Sequence, residues 1–183
     1  MWISARPPGS NQQSMKPERF ESFLTENEKR IHNYIARFLD VEEDAYDLVQ
    51  NVFIAFYERL DEIEDKTALA YLYRMAHNMS LNWQKQQRRL ILKSPQDFQN
   101  VSAPPAREID PRHKILNAAI QTLPVKLSTV IHLQYYENLS YKDIGTRLNL
   151  SVKAVESLLV RAKKLLRKKM LQESGGTSVF SDR

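Results

Sequence analysis

Residues 139–168 read LSYKDIGTRLNLSVKAVESLLVRAKKLLRK. Ser140 is followed three residues later by Asp143, a short form of the capping box that opens a helix. Asn149 tolerates a left-handed backbone and suits a turn. Ser151 then caps a second helix. Two helices joined by a turn of three to four residues make a helix-turn-helix. Ile144, Leu148, Val155, Leu159 and Ala162 are spaced to form the small core between them. The outer face of the second helix then carries Lys153, Glu156, Ser157, Val160, Arg161 and Lys164. A helix fits the major groove, where base edges are distinguishable: Arg pairs with guanine, Glu accepts from cytosine and Val meets a thymine methyl. Lys163, Arg167 and Lys168 lie at positions suited to phosphates.

Upstream, residues 112–121 and 124–137 read as two more helices, with Pro124 suited to a first turn. Before these, residues 94–112 (SPQDFQNVSAPPAREIDPR) hold four of the eight prolines. Proline restricts itself and its predecessor, so an extended linker is expected here. Nineteen residues reach at most about 60 Å. The chain therefore divides into a leader at 1–15, a first domain at 16–93, a linker at 94–111, a second domain at 112–172 and a tail at 173–183. Met15 is a candidate alternative start. The expected fold class is all-α, with two small helical domains joined by an extended linker.

The first domain reads as three helices, the first over about 18–38. In 44–60 (DAYDLVQNVFIAFYERL), Ala45, Leu48, Val49, Val52, Phe53, Phe56 and Leu60 form one apolar face at helical period. The other face carries Asp44, Asp47, Asn51 and Glu58. In 68–89 (ALAYLYRMAHNMSLNWQKQQRR), Leu69, Leu72, Ala76, Met79 and Trp83 form the expected buried stripe. The expected opposite face holds Tyr71, Arg74, Asn78, Asn82, Lys85 and Arg89. Cations among amides and aromatics, with Trp83 nearby, suit unstacked bases better than closed duplex.

The net charge of +5 over 183 residues conceals an order along the chain. Residues 18–66 carry a net of −8, residues 74–93 a net of +5 and residues 140–171 a net of +7. Two basic runs that follow an acidic one point to phosphate contacts and to a second, basic partner. With no cysteine, the chain has no disulfide, Cys-ligated zinc or thiol catalysis. Only four glycines occur, and none builds a phosphate loop. His32, His77, His113 and His132 show no zinc-ligand spacing. No catalytic residue, cofactor or metal site is therefore expected, nor any membrane insertion.

Together, the three quoted segments resemble the bacterial RNA polymerase sigma factors of the sigma-70 family, in their compact extracytoplasmic-function (ECF) form. Segment 44–60 resembles region 2.2, and 68–89 resembles regions 2.3 and 2.4. Segment 123–164 (LPVKLSTVIHLQYYENLSYKDIGTRLNLSVKAVESLLVRAKK) resembles region 4. The resemblance implies a promoter-directing factor with no enzymatic activity of its own. Asp44, Asp47, Gln50 and Asn51 would dock on core polymerase, through its β′ subunit, with β as a further contact. Tyr71, Arg74, Asn78, Asn82, Trp83, Lys85, Arg88 and Arg89 would read the −10 element, and Glu62–Ala68 would capture a flipped base. Lys153, Glu156, Ser157, Val160, Arg161, Lys163 and Lys164 would read the −35 element. The resemblance also implies a cytoplasmic protein and an anti-sigma partner.

This chain departs from the family in three places. Asn82 stands where an Asp is usual. Lys153-Ala154-Val155-Glu156-Ser157-Leu158 replaces a common Gly-Thr-Val-Lys-Ser-Arg, which changes the groove-facing chemistry. Gly145 replaces an Ala, at an expected cost of about 0.5–1 kcal/mol in helix propensity. The alternative reading is a helix-turn-helix regulator whose first domain is a sensor or a dimerisation module.

Overall fold

A computed structural model describes residues 15–39, 41–93 and 111–173. The expected leader, linker and tail lie almost wholly outside the described residues. Those residues contain seven α-helices and no β-strand. Helices α1 (Pro17–Ile35), α2 (Glu42–Tyr57) and α3 (Ala68–Lys93) form one unit. Helices α4 (Pro111–Gln121), α5 (Val125–Tyr135), α6 (Tyr141–Leu148) and α7 (Val152–Glu173) form the other.

Helix α1 opens on Pro17, where a missing N–H costs nothing, with Glu18 in its first turn. Helix α2 opens on Glu42, Glu43 and Asp44, which sit at the positive end of its dipole. All seven apolar residues expected to face inward from 44–60 are buried. Phe56 is fully enclosed, stacked on Phe23 at 5.3 Å and on Phe20 at 6.2 Å. Such aromatic contacts add to the burial of apolar area that drives the packing. Met15, placed with the leader from sequence, is buried, and its N–H donates to the Ile63 carbonyl at 2.9 Å.

In the second unit the helix-turn-helix forms as its caps require. Ser140 Oγ accepts from the Asp143 N–H at 3.1 Å, and Ser151 Oγ accepts from the Ala154 N–H at 3.1 Å. Asn149 adopts φ 54°, ψ 51°. Asn138, between α5 and α6, is also left-handed at φ 53°. Pro124 lies one position outside α5, as its N-cap. Ile144, Leu148, Val155, Leu159 and Ala162 are all buried.

Gly145 has a structural reason that helix propensity alone does not show. A Cβ there would lie 2.7 Å from the Leu150 carbonyl oxygen, because the turn folds back so closely that the Leu150 N–H donates to the Gly145 carbonyl at 2.8 Å. The neighbour is backbone and cannot swing away. Gly145→Ala is therefore expected to destabilise the protein by about 1–2 kcal/mol through overpacking, against the gain that propensity alone predicts. Chemical denaturation of the two proteins checks the sign.

The two units are in contact. Helix α3 packs against α5 and α6, and α6 packs against the 3-10 turn Asp65–Thr67. Helix α5 is consequently buried on two sides, one toward α7 and one toward α3.

Candidate functional site

Three surfaces carry the residues singled out from sequence. The first is the outer side of α2. Asp47, Gln50 and Asn51 are exposed there, and Asp44 is half-buried. Three apolar residues missed from sequence lie among them: Tyr46, Ile54 and Tyr57, each more than half exposed. Ile54 and Tyr57, with Phe20, Leu24, Val49 and Phe53, line a groove of about 640 Å³ between α1 and α2. The available signal was an apolar side chain lying off the buried stripe of an otherwise regular amphipathic helix. An apolar patch rimmed by acids suits a protein partner better than a nucleic acid.

The second surface is α3. Asn78, Asn82, Lys85, Arg88 and Arg89 are exposed along its C-terminal part, and Trp83 is half-buried against the core. Tyr71 does not join them. Its ring packs edge-on against Phe56 at 6.1 Å, the Arg74 guanidinium lies 4.5 Å from its centroid, and its hydroxyl accepts from Arg59 Nη1 at 3.3 Å. The single-stripe expectation fails at this end because α3 is covered by α2 on one side and by the second unit on another. The same cover encloses Tyr73 and His77. Burial pushes His77 down to about 4, so its imidazole is neutral near neutral pH.

Arg74 also departs from the expected free face. It is half-buried where the units meet, and shares with Lys126 and Arg161 the lining of a cavity of about 330 Å³. The two expected DNA-reading helices thus place one arginine each beside the same cavity.

The third surface is α7. Lys153, Glu156, Ser157, Val160, Arg161 and Lys164 are all exposed, opposite the buried Val155, Leu159 and Ala162. Lys163 is exposed on the flank toward α5. Its ammonium lies 5.5 Å from the Tyr135 ring centroid, and a hydrogen bond to Tyr135 raises its pKa. Lys163 is therefore turned away from the row formed by Lys153, Ser157 and Lys164.

Among the described residues no group of three or more His, Asp or Glu side chains is placed to hold a metal ion. No described helix is long and apolar enough to cross a membrane.

Comparison with known proteins gives matches in the same order. The family model for sigma-70 region 2 matches residues 23–90, and that for sigma-70 region 4 matches residues 113–166. The ECF RNA polymerase sigma factor SigE of Mycolicibacterium smegmatis is 25% identical over 165 residues, covering 87% of this chain and 64% of that protein. The chain therefore spans less than two thirds of SigE. The RNA polymerase sigma-H factor of Pseudomonas aeruginosa is 27% identical over 170 residues, covering 81% and 84%. The ECF RNA polymerase sigma-E factor of Haemophilus influenzae is 26% identical over 166 residues, covering 82% and 87%. A solved structure of CnrH in complex with the cytosolic domain of CnrY covers 89% of this chain at 22% identity and a TM-score of 0.48. With region 2 preceding region 4, and with ECF factors among its relatives, the chain belongs to the sigma-70 family of RNA polymerase sigma factors, in its extracytoplasmic-function branch.

Proposed function

We propose that this protein recruits core RNA polymerase through the outer side of α2 and directs it to promoters read by α3 and α7. The single observation that carries this reading is the separation of surfaces by chemistry. The α2 face is acidic and apolar, whereas the exposed parts of α3 and α7 are cationic. A partner with a basic docking surface, the β′ subunit of core polymerase, suits the first; promoter DNA suits the other two. The β subunit is a further contact.

In this reading Asp44, Asp47, Gln50 and Asn51 dock on polymerase, with Ile54 and Tyr57 adding apolar contact. Asn78, Asn82, Trp83, Lys85, Arg88 and Arg89 act on the −10 element. An Asn hydrogen-bonds a base edge once the base has left the stack, and an aromatic ring stacks on it. The connector Glu62–Ala68 holds the extruded base. Lys153, Glu156, Ser157, Val160, Arg161 and Lys164 meet the −35 element in the major groove. The protein performs no catalysis; the polymerase does. It works in the cytoplasm, and an anti-sigma factor controls it. A helix-turn-helix regulator whose first domain senses or dimerises would have no need of a cationic α3 beside its acidic and apolar α2 face.

Base contacts and phosphate contacts separate experimentally. Glu156→Ala is expected to relax the preference at one −35 position by about 1–3 kcal/mol. Lys168→Ala is expected to weaken binding evenly across sequences and to lower the salt slope by about one. Holoenzyme binding to a randomised −35 library, at two salt concentrations, reads both. Equal losses on every sequence from Glu156→Ala would remove that residue from the reading set.

A further inference from the structure

Cationic side chains from three helices converge on the cavity of about 330 Å³. Arg74 comes from α3, Lys126 from the first turn of α5 and Arg161 from α7. Arg74 and Lys126 are half-buried, and Arg161 is exposed. The rest of the wall is apolar and includes Leu127, Leu158 and Pro124. No acid is among the lining residues. Arg74 and Lys126 also line a smaller neighbouring cavity of about 110 Å³, whose wall carries Thr67, Tyr71 and Asn149.

We propose that this cavity is a binding site for a small molecule that carries an oligophosphate group. Arg74, Lys126 and Arg161 hold the phosphates, and the apolar wall takes any body attached to them. The promoter-directing reading bears on the consequence of binding and not on the site itself.

Electrostatics supplies the first argument. A concave surface lined by one sign of charge, with apolar walls, focuses the field and concentrates counter-ions. Two guanidinium groups offer forked donors that match phosphate oxygens, and the lysine adds a point charge. Hydrogen bonds of this charge-assisted kind are about twice as strong as neutral ones. Small-molecule sites combine a mostly apolar wall with a few placed polar groups, in cavities of about 300–1,000 Å³. The larger cavity has that size and that composition. The smaller one, reached past the same two cations, leaves room for more than one phosphate.

The second argument is that the cations are held in place without a ligand. The Arg74 guanidinium rests 4.5 Å from the centroid of the Tyr71 ring, and Tyr71 is itself buried against Phe56. Lys126 precedes the buried Leu127, which anchors the start of α5. Helix α5 packs against both α3 and α7, and one apolar core runs under all three. Groups fixed in this way lose little freedom on binding, so more of the contact energy appears as affinity. Two of the three cations are half-buried in a cavity, which suits a small ion that enters it better than a rod that lies across it. Under the promoter-directing reading Arg161 meets the −35 element, so a bound oligophosphate withdraws one cation from DNA.

Calorimetric titration of the full chain with inorganic pyrophosphate and with ATP, without divalent metal, tests the proposal. The salt is held at about 0.1 M, where charges more than about 10 Å apart are screened. A Kd tighter than about 0.1 mM is expected for at least one probe. Arg161→Gln and Lys126→Gln are each expected to weaken it about tenfold, the loss of one hydrogen bond to a charged group. Lys29→Gln removes the same charge from the exposed face of α1 and is expected to leave the Kd unchanged. Circular dichroism confirms that each variant is folded. Equal affinity for the two probes assigns the site to the phosphates alone, and tighter binding of ATP assigns it to a nucleotide; both accord with an oligophosphate site. A Kd weaker than about 1 mM for both probes would overturn the proposal. So would equal losses in Lys29→Gln and Arg161→Gln. If neither probe binds and Lys126→Gln weakens the binding of single-stranded DNA, the cavity belongs to nucleic acid and the proposal fails. Polymerase and promoter are absent from this assay, so failure of the promoter-directing reading would leave its outcome unchanged and would appear only in a transcription assay.

Discussion

Replacing Asp47 with Arg is expected to lower the affinity for core polymerase by about 30- to 100-fold while leaving the fold intact. The magnitude follows from charge reversal at an interface, where like charges brought together cost several kcal/mol. The fold is spared because Asp47 is exposed on the outer side of α2, away from the buried Leu48, Val49 and Val52. The exposed Ile54 and Tyr57 are left in place, so weakened rather than abolished binding is the expected result. A titration of labelled core polymerase with each protein, alongside thermal unfolding, separates the two effects. Unchanged affinity in the Asp47→Arg protein would move the docking surface elsewhere on the molecule.

A fall in stability of roughly 3 kcal/mol between pH 6.5 and pH 4 is expected from His77 alone. The ordinary imidazole value is near 6.5, and burial pushes His77 down to about 4. Between these values the unfolded chain binds a proton at this site and the folded chain does not. Stability therefore rises with pH across that window, is fully present above about 6.5, and is lost as pH falls through about 4. The physical cause is enclosure. His77 is buried among Tyr34 and Phe38, and its Nδ1 lies 2.8 Å from the Tyr34 hydroxyl. Urea unfolding of the parent and of His77→Gln across pH 4–7 isolates the contribution, since both share every other titrating group. Parallel curves would show that His77 titrates normally in the folded protein.

Periodicity and caps are local signals, and they were read correctly where the structure depends on them locally. The buried face of α2 follows from the spacing of Ala45 through Leu60, and the helix-turn-helix from Ser140, Asn149 and Ser151. What the sequence hides is the second layer of packing. A single apolar stripe accounts for Leu69, Leu72 and Ala76, but α3 is covered on more than one side, so Tyr71 and Tyr73 are buried as well. Arg74 was legible as a cation on a basic helix. Its place beside Lys126 and Arg161 was not, because it depends on two units separated by residues 94–110 coming together. The same holds for Glu137. In the sequence it is one acid between Tyr136 and Asn138, and only the folded chain brings it to Arg30. Gly145 illustrates the limit from the other side: propensity scored it as a cost, while the Leu150 carbonyl makes its missing Cβ a requirement.

Run-off transcription with core polymerase on a library of genomic promoter fragments tests the central claim most directly. Adding this protein is expected to produce discrete transcripts that core polymerase alone does not make. The active fragments should share two sequence elements at a fixed spacing, the upstream one altered by Glu156→Ala and the yield reduced by Asp47→Arg. Sequence-specific binding to DNA with no transcript above that of core polymerase would contradict the account and favour a regulator that uses its helix-turn-helix alone.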